Sequence, residues 1–261
     1  MEPTRTPLTI TLSVWKALFL REAVQRLFSS RSAWVWLLFE PVAHIVFLMF
    51  VMTVIRLRTV GGIDTPVWIL VGLLAFFMFR RPAGQGMSAV TANQALFSYR
   101  QVKPVDTVLA RVCLEGFLML VIAIILFMGS GLFGLAIMPA DPLAVLEAFF
   151  GLWLIGLGFG LVTSVASTIV PELGKTILLL MTPLYFLSGV IFPLSKVPLP
   201  YREWLMFNPL AQGIEATRLA FAPHYQAVPE LDISYVFKFA VIIIFLGLAL
   251  HVRYSLRLAT K

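Results

Sequence analysis

DTVLARVCLEGFLMLVIAIILFMGSGLFG, residues 106–134, decides the fold. Beyond Glu115 the stretch carries no charge. About 20 such residues in a helix cross a hydrocarbon core about 30 Å thick. It reads as a transmembrane helix, and the same reading extends outward along the chain. Upstream, one span covers 33–55 and opens on Trp34 and Trp36, residues suited to the membrane interface. A second starts after Pro66 and runs to about 88. Downstream lie spans at 143–170, 173–192 and 234–254. Pro171-Glu172-Leu173-Gly174-Lys175 reads as a tight hairpin between the fourth and fifth. The expected fold is an all-α integral membrane protein of six transmembrane helices, forming a single transmembrane domain over 1–261.

Composition agrees. The chain of 261 residues is 60% hydrophobic and 13% charged, with mean hydropathy +0.93. A soluble domain is roughly 45–50% apolar and about 25% charged. Six spans with short loops leave no room for a sizeable soluble domain. The net charge of +7 does not point to nucleic acid, because the basic residues sit beside hydrophobic segments, where an anionic membrane surface accounts for them. The single cysteine, Cys113, cannot form an intrachain disulfide. The first apolar run starts near Ala33, too late and too long for a cleavable signal peptide.

Three segments do not span. Residues 10–28 place Leu12, Trp15, Phe19, Ala23 and Leu27 at helical spacing among Lys16, Arg21, Gln25 and Arg26. That is a basic amphipathic helix for the membrane interface, or one packed on a partner. Residues 89–105 read as a short cytoplasmic helix ending before Pro104. Residues 193–231 are too interrupted by Pro193, Pro198, Pro200 and Pro209 to span and too apolar for a free loop. Two short re-entrant helices in the outer leaflet fit them. With the N-terminus inside, fourteen of the twenty Lys and Arg residues face the cytoplasm, so both termini are expected there.

Catalytic patterns are missing. His44, His224 and His251 are scattered, and no HExxH or G-x-S-x-G occurs. Gly174-Lys175-Thr176 imitates the end of a phosphate-binding loop, but position 169, where that loop needs its first glycine, is Ile. The chain is expected to bind no metal or cofactor and to be no enzyme.

The charges inside the spans are more informative. Arg80 stands about fifteen residues, or about 22 Å of helix, past Pro66. Arg80 and Arg81 therefore sit at inner-leaflet depth. Two readings stand: both snorkel to the headgroups, or at least one faces a protein-lined passage. Glu40 and His44 interrupt the first span, as a buried pair, a polar wall, or a Glu bonded to a neighbouring helix. Glu115, four residues after Arg111, reads as an i,i+4 ion pair. Gly156 and Gly160 make a small-xxx-small packing face. Phe149, Phe150, Trp153, Phe159, Tyr185 and Phe186 face lipid or pack, with a subset open to lining a sugar passage.

Ser188-Gly189-Val190-Ile191-Phe192-Pro193-Leu194-Ser195, then Pro198, Asn208-Pro209-Leu210, Gly213-Ile214-Glu215 and Arg218, resemble the signature of type-two ABC exporter permeases. The resemblance is closest to the polysaccharide-export branch, and within it to capsular polysaccharide permeases. Met87-Ser88-Ala89-Val90, Asn93-Gln94-Ala95-Leu96 and Val102-Lys103-Pro104 are similar to that family's cytoplasmic coupling region. The resemblance implies a bacterial inner-membrane protein that works as two permeases with two ATP-binding cassette subunits, the latter using ATP and Mg. It implies a lipid-linked, usually anionic, glycan as substrate. It also implies a periplasmic polysaccharide co-polymerase or adaptor and an outer-membrane exporter as further partners. Ala95, Leu96, Tyr99, Arg100 and Val102 are expected to meet the ATPase. Arg80, Arg81, Glu40, His44, Tyr185 and Phe186 are the expected passage residues. Phe192, Pro193, Asn208, Pro209, Glu215 and Arg218 are the expected outer gate, where Glu215 and Arg218 read either as a holding pair or as an ordinary exposed one. O-antigen or teichoic acid export, and export of a small hydrophobic drug, are the alternatives.

Overall fold

Helix ends in this chain are written in its dipeptides. Asp141-Pro142, Asn208-Pro209 and Asp232-Ile233 each put a short polar side chain at a helix N-cap. Asp141 Oδ1 accepts hydrogen bonds from the backbone of Leu143 and Ala144 at 3.1 and 3.0 Å. Asn208 Oδ1 accepts from Leu210 at 3.0 Å and Asp232 Oδ1 from Ser234 at 2.9 Å. Proline at the first helical position has no N–H to leave unsatisfied. A computed structural model describes residues 6–28, 33–54, 59–132, 134–135 and 138–260.

Among the described residues the chain forms α1 (Pro7–Phe28), α2 (Ala33–Val54), a hairpin of β1 (Thr59–Val60) and β2 (Ile63–Asp64), α3 (Thr65–Met87) and α4 (Ala89–Ala92). There follow α5 (Pro104–Leu132), α6 (Pro142–Ile169), α7 (Pro171–Leu187), α8 (Tyr201–Met206), α9 (Pro209–Phe221), α10 (Ile233–Arg253) and α11 (Ser255–Thr260). Short 3-10 turns occupy Gln94–Ser98 and Leu194–Lys196.

Helices α3, α5, α6 and α10 are long and apolar enough to cross a membrane. Helix α2 contributes an apolar stretch over Pro41–Met52, and α7 has 17 residues, about 25 Å of helix. Burial separates the centre from the rim: 83% of the apolar window of α3 is buried, but 17% of that of α10. Trp68, Leu70, Leu73, Leu74, Phe76 and Phe79 of α3 are fully buried and pack in one core with Met119 and Ile122 of α5 and Leu152 of α6. Since lipid tails are as apolar as leucine, close fit and not water exclusion must join these helices. Glycine provides it, as its spacing indicated. A Cβ on Gly156 would lie 2.9 Å from the Phe79 carbonyl, and one on Gly160 3.2 Å from the Gly86 Cα.

The β1–β2 hairpin turns through Gly61 (φ 59°) and Gly62 (φ 92°), angles that L side chains rarely adopt. The hairpin is pinned to the segment after α9, where the Gln226 amide donates to the Gly61 carbonyl at 3.1 Å. The start of α3 and the 193–231 segment therefore share one end of the molecule. The segment holds two short helices, α8 and α9, as its proline spacing suggested.

At the opposite end, 89–105 differs from the short helix expected. One turn of α4 gives way to the 3-10 turn and then a turn closed by the Val102 amide on the Tyr99 carbonyl at 3.0 Å, before Pro104. The cause is local. The buried Asn93 folds its Nδ2 back onto the Ala89 carbonyl at 2.9 Å, competing with the helix ladder.

Candidate functional site

Helices α2, α3 and α7 leave a cleft of about 350 Å³ between them, lined by Pro41, Phe77, Arg80, Arg81, Gly84, Gln85, Leu178 and Met181. Arg80 is seven residues from the end of α3, about 10 Å along the helix. Its side chain is exposed, whereas Arg81 is mostly covered. The two neighbours thus differ: Arg80 faces the open cleft, and Arg81 has its Nη1 4.0 Å from Glu115 Oε2. The other expected passage residues sit further back. His44 rests edge-on against Phe77 and Tyr185, with ring centroids at 5.7 and 6.1 Å. Tyr185 also packs on Phe76 at 5.1 Å. Phe186 is 46% exposed on the surface of α7. Glu40 belongs to α2, but its side chain lies outside the described residues.

Glu115 corrects an expectation. Its partner is not Arg111 one turn away but Arg26 of α1, whose Nε and Nη2 donate to Oε1 at 2.8 and 2.6 Å. Arg111 instead pairs with Glu22 of α1 and reaches Ser88 Oγ at 3.3 Å. The docked α1 brings a guanidinium against a buried carboxylate with two hydrogen bonds, where solvent screens the pair little.

Two further bonds complete the seam between α1 and the bundle. The Trp15 indole donates to Asp106 Oδ1 at 2.8 Å, and Arg21 Nη1 donates to Asn93 Oδ1 at 2.7 Å. Trp15, Glu22 and Arg26 lie on one face of α1, separated by seven and four residues. That spacing is a usable signal in the sequence, and of the two readings of this helix the packed one holds, with the partner in the chain's own bundle.

The seam brackets the segment expected to meet the ATPase. Asn93 precedes it, and Asp106, whose Oδ2 accepts from the Lys103 amide at 3.0 Å, follows it. Between them Ala95, Tyr99 and Arg100 are exposed and Leu96 and Val102 half-buried. All five residues expected to meet the ATPase therefore lie together on a short projection held at both ends.

The residues expected at an outer gate converge at the other end of α3. Arg218 and Glu215 are fully buried, so the exposed-pair reading does not hold. Arg218 Nη1 donates to the Gly189 carbonyl at 2.8 Å and to Glu215 Oε1 at 3.2 Å. Its Nη2 donates to the Val190 carbonyl at 2.8 Å. These carbonyls belong to the reversal after α7, where they lack helical partners. The guanidinium carbon lies 3.6 Å from the Trp68 ring centroid, a cation–π contact. Gly72 leaves the room, since a Cβ there would be 2.3 Å from Nη2.

Tyr225 donates to both Glu215 oxygens at 3.0 and 3.1 Å. Burial pushes its phenol up to about 12, so it remains a donor. Asn208 Nδ2 donates to Ser188 Oγ at 2.9 Å, Pro209 opens α9, Pro193 opens the 3-10 turn, and Phe192 packs with Leu194, Met206, Ala211 and Val228. All six expected gate residues belong to this one assembly. Trp68 and Tyr225 were missed, since nothing near them in sequence announces a buried guanidinium.

No group of three or more metal-ligating side chains occurs among the described residues. The arrangement supports anion contact at one end and helix locking at the other.

Known proteins are similar to this chain in sequence. Polysialic acid transport protein KpsM of Escherichia coli is 35% identical over 236 residues, 90% of this chain and 91% of that protein. Capsule polysaccharide export inner-membrane protein CtrC of Neisseria meningitidis serogroup A is 26% identical over 95% of this chain and 93% of its own. Capsule polysaccharide export inner-membrane protein BexB of Haemophilus influenzae is 26% identical, covering 81% and 80%. The ABC-2 type transporter family model matches residues 13–222, from α1 through the Arg218 knot. The chain therefore belongs to the ABC-2 type transporter family.

Proposed function

We propose that this chain is the membrane-spanning subunit of an ATP-driven exporter that moves a lipid-linked anionic capsular polysaccharide across the bacterial inner membrane. The observation that carries the reading is the pair of guanidiniums in the α2–α3–α7 cleft, at inner-leaflet depth, in a chain related to capsule exporters. A hydrophobic cargo needs no such charges. Guanidinium forks match carboxylate and phosphate bidentately, and both groups are expected on an acidic glycan carried by a phospholipid.

In this reading α2, α3, α5, α6, α7 and α10 are six spans, α1 lies along the cytoplasmic interface, and α8 and α9 dip back into the outer leaflet. Both termini are cytoplasmic. Two copies of the chain pair with two ATP-binding cassette subunits that use ATP and Mg, while this chain binds neither. Ala95, Leu96, Tyr99, Arg100 and Val102 receive the ATPase's motion. The helices of the two copies shift as rigid bodies, and the Phe192, Pro193, Asn208, Pro209, Glu215 and Arg218 assembly holds the outer closure. A periplasmic co-polymerase or adaptor and an outer-membrane exporter carry the glycan onward.

The test reconstitutes the chain with its ATPase in vesicles containing a phospholipid-linked acidic oligosaccharide. Arg80→Ala and Arg81→Ala each raise the glycolipid concentration for half-maximal ATPase stimulation by about tenfold, the worth of one charge-assisted contact. If both variants export and respond as the parent does, the cleft is not the substrate's path.

A further inference from the structure

Helix α10 ends at Arg253, and after Tyr254 the chain resumes as α11. Much of this stretch faces outward, with Val252 77% and Leu256 81% exposed. Leu258 breaks that pattern. It is fully buried, and its amide donates to the Tyr254 carbonyl at 3.0 Å.

Its surroundings join separate parts of the chain. Leu258 shares a core with Val90 of α4, Val108 and Val112 of α5, and Leu161 and Val165 of α6. Phe97 of the 3-10 turn packs against the same core, and α11 lies against that turn. None of the described residues of the turn is itself buried, so its neighbours must order it. Helix α1 grips Asn93 just before the turn, and α11 supports the turn itself.

We propose that Leu258 is a positioning residue for the ATPase: by seating α11 against the 3-10 turn it presets Ala95, Leu96 and Tyr99 in the shape that the ATPase grips. This rests on the reading of that projection as the ATPase's contact. A surface ordered only on binding loses affinity to the ordering, and one ordered beforehand does not. Leu258, being fully buried, acts through Phe97 and the turn and touches no partner.

The experiment uses the full chain in phosphatidylcholine vesicles, titrated with its ATPase subunit. Leu258→Ala raises the subunit concentration for half-maximal permease-dependent ATP hydrolysis by about three- to tenfold, the cost of ordering one or two side chains. Leu258→Met, which conserves volume, restores the parental value. The melting midpoint of the bundle stays parental in both, since a terminal helix frays by itself. Leu152→Ala, in the α3–α5–α6 core, does the converse: it lowers the midpoint and leaves the subunit concentration unchanged. Phe97→Ala raises that concentration as Leu258→Ala does, and the double variant is no worse than the more severe single one, because both act on one contact.

A parental subunit concentration for Leu258→Ala overturns the proposal, and so do additive effects of Leu258→Ala and Phe97→Ala. Should Leu258→Ala fail to accumulate, Leu258→Val decides: a smaller rise is expected, and no rise overturns it. A parental value for Tyr99→Ala removes the reading of the projection itself. A shifted Tyr99→Ala beside an unshifted Leu258→Ala removes only the positioning role.

Discussion

Arg81 and Arg218 are the same residue in two ends of one bundle, and they are held in opposite ways. Arg218 has donated to two carbonyls and a carboxylate, all within 3.2 Å, and lies flat on Trp68 with no exposure. Arg81 sits 4.0 Å from its carboxylate at the edge of a cleft. A guanidinium whose donors are met by fixed backbone carbonyls is a rivet. Arg81 instead lines an open cleft, with a buried carboxylate 4.0 Å from its Nη1. The comparison assigns stability to the Arg218 end of the bundle and solvent access to the Arg80–Arg81 end.

The largest expected effect breaks the rivet. Arg218→Ala leaves Glu215 as a buried charge without its cation and frees the Gly189 and Val190 carbonyls. Removing one partner of a buried pair costs about 3–5 kcal/mol, so the variant should melt far below the parent in detergent or fail to accumulate. Adding Glu215→Gln to it should recover part of the loss. A parental melting temperature for Arg218→Ala would show that the knot carries no stability.

Gly72→Ala strikes the same rivet from the α3 side. The added methyl would meet Nη2 at 2.3 Å, and an arginine tied at three points cannot step aside. Overpacking of this kind costs about 1–3 kcal/mol. The same substitution at Gly84, where a Cβ meets nothing within 4 Å, should leave the melt unchanged, and the difference between the two is the measurement.

Legibility followed the range of the interactions. The central spans could be read because length and apolarity are local properties, and Asp141-Pro142 and Asn208-Pro209 announced their helices for the same reason. Arg80 and Arg81 stood out because a charge in an apolar run is a local anomaly. What escaped was pairing across helices. Glu115 had an acceptable neighbour in Arg111 at i,i+4, and only the docking of α1 reveals the better one, 89 residues away. Glu215 and Arg218 could be paired by spacing, but their burial depends on Trp68, Gly72 and Tyr225 converging from two other segments. The break in 89–105 came from one side chain, Asn93, turning onto its own backbone.

A smaller effect belongs to the α1 seam. Trp15→Phe keeps the ring and removes the indole donor to Asp106. A hydrogen bond to a charged group contributes about 1.5–3 kcal/mol when buried, and this one is only partly buried, so about 1 kcal/mol is expected. The readout is local: amide exchange in α1 should quicken while α3 and α6 stay protected. Equal quickening in all three would mean that α1 is integral to the core and not a seated strut.

The smallest effect sharpens the contrast near the Arg218 knot. Arg202 Nη2 donates to Glu230 Oε1 at 2.8 Å, and that bond holds the Glu230 carboxyl below its ordinary 4.5, against a weaker opposing push from burial. A lowered folded value means that the stabilisation is complete above the unfolded value and is lost as pH falls through it toward the folded one. The contribution should therefore be constant from neutral pH down to about 5 and fade below it. Glu230→Gln removes the pair. As a partly exposed ion pair it is worth about 1 kcal/mol, so the variant should melt marginally below the parent at pH 7 and converge with it in acid. A gap of several kcal/mol at pH 7 would place Glu230 in the same class as Glu215. The distinction between a buried knot and a solvent-facing tether at this end of the molecule would then be lost.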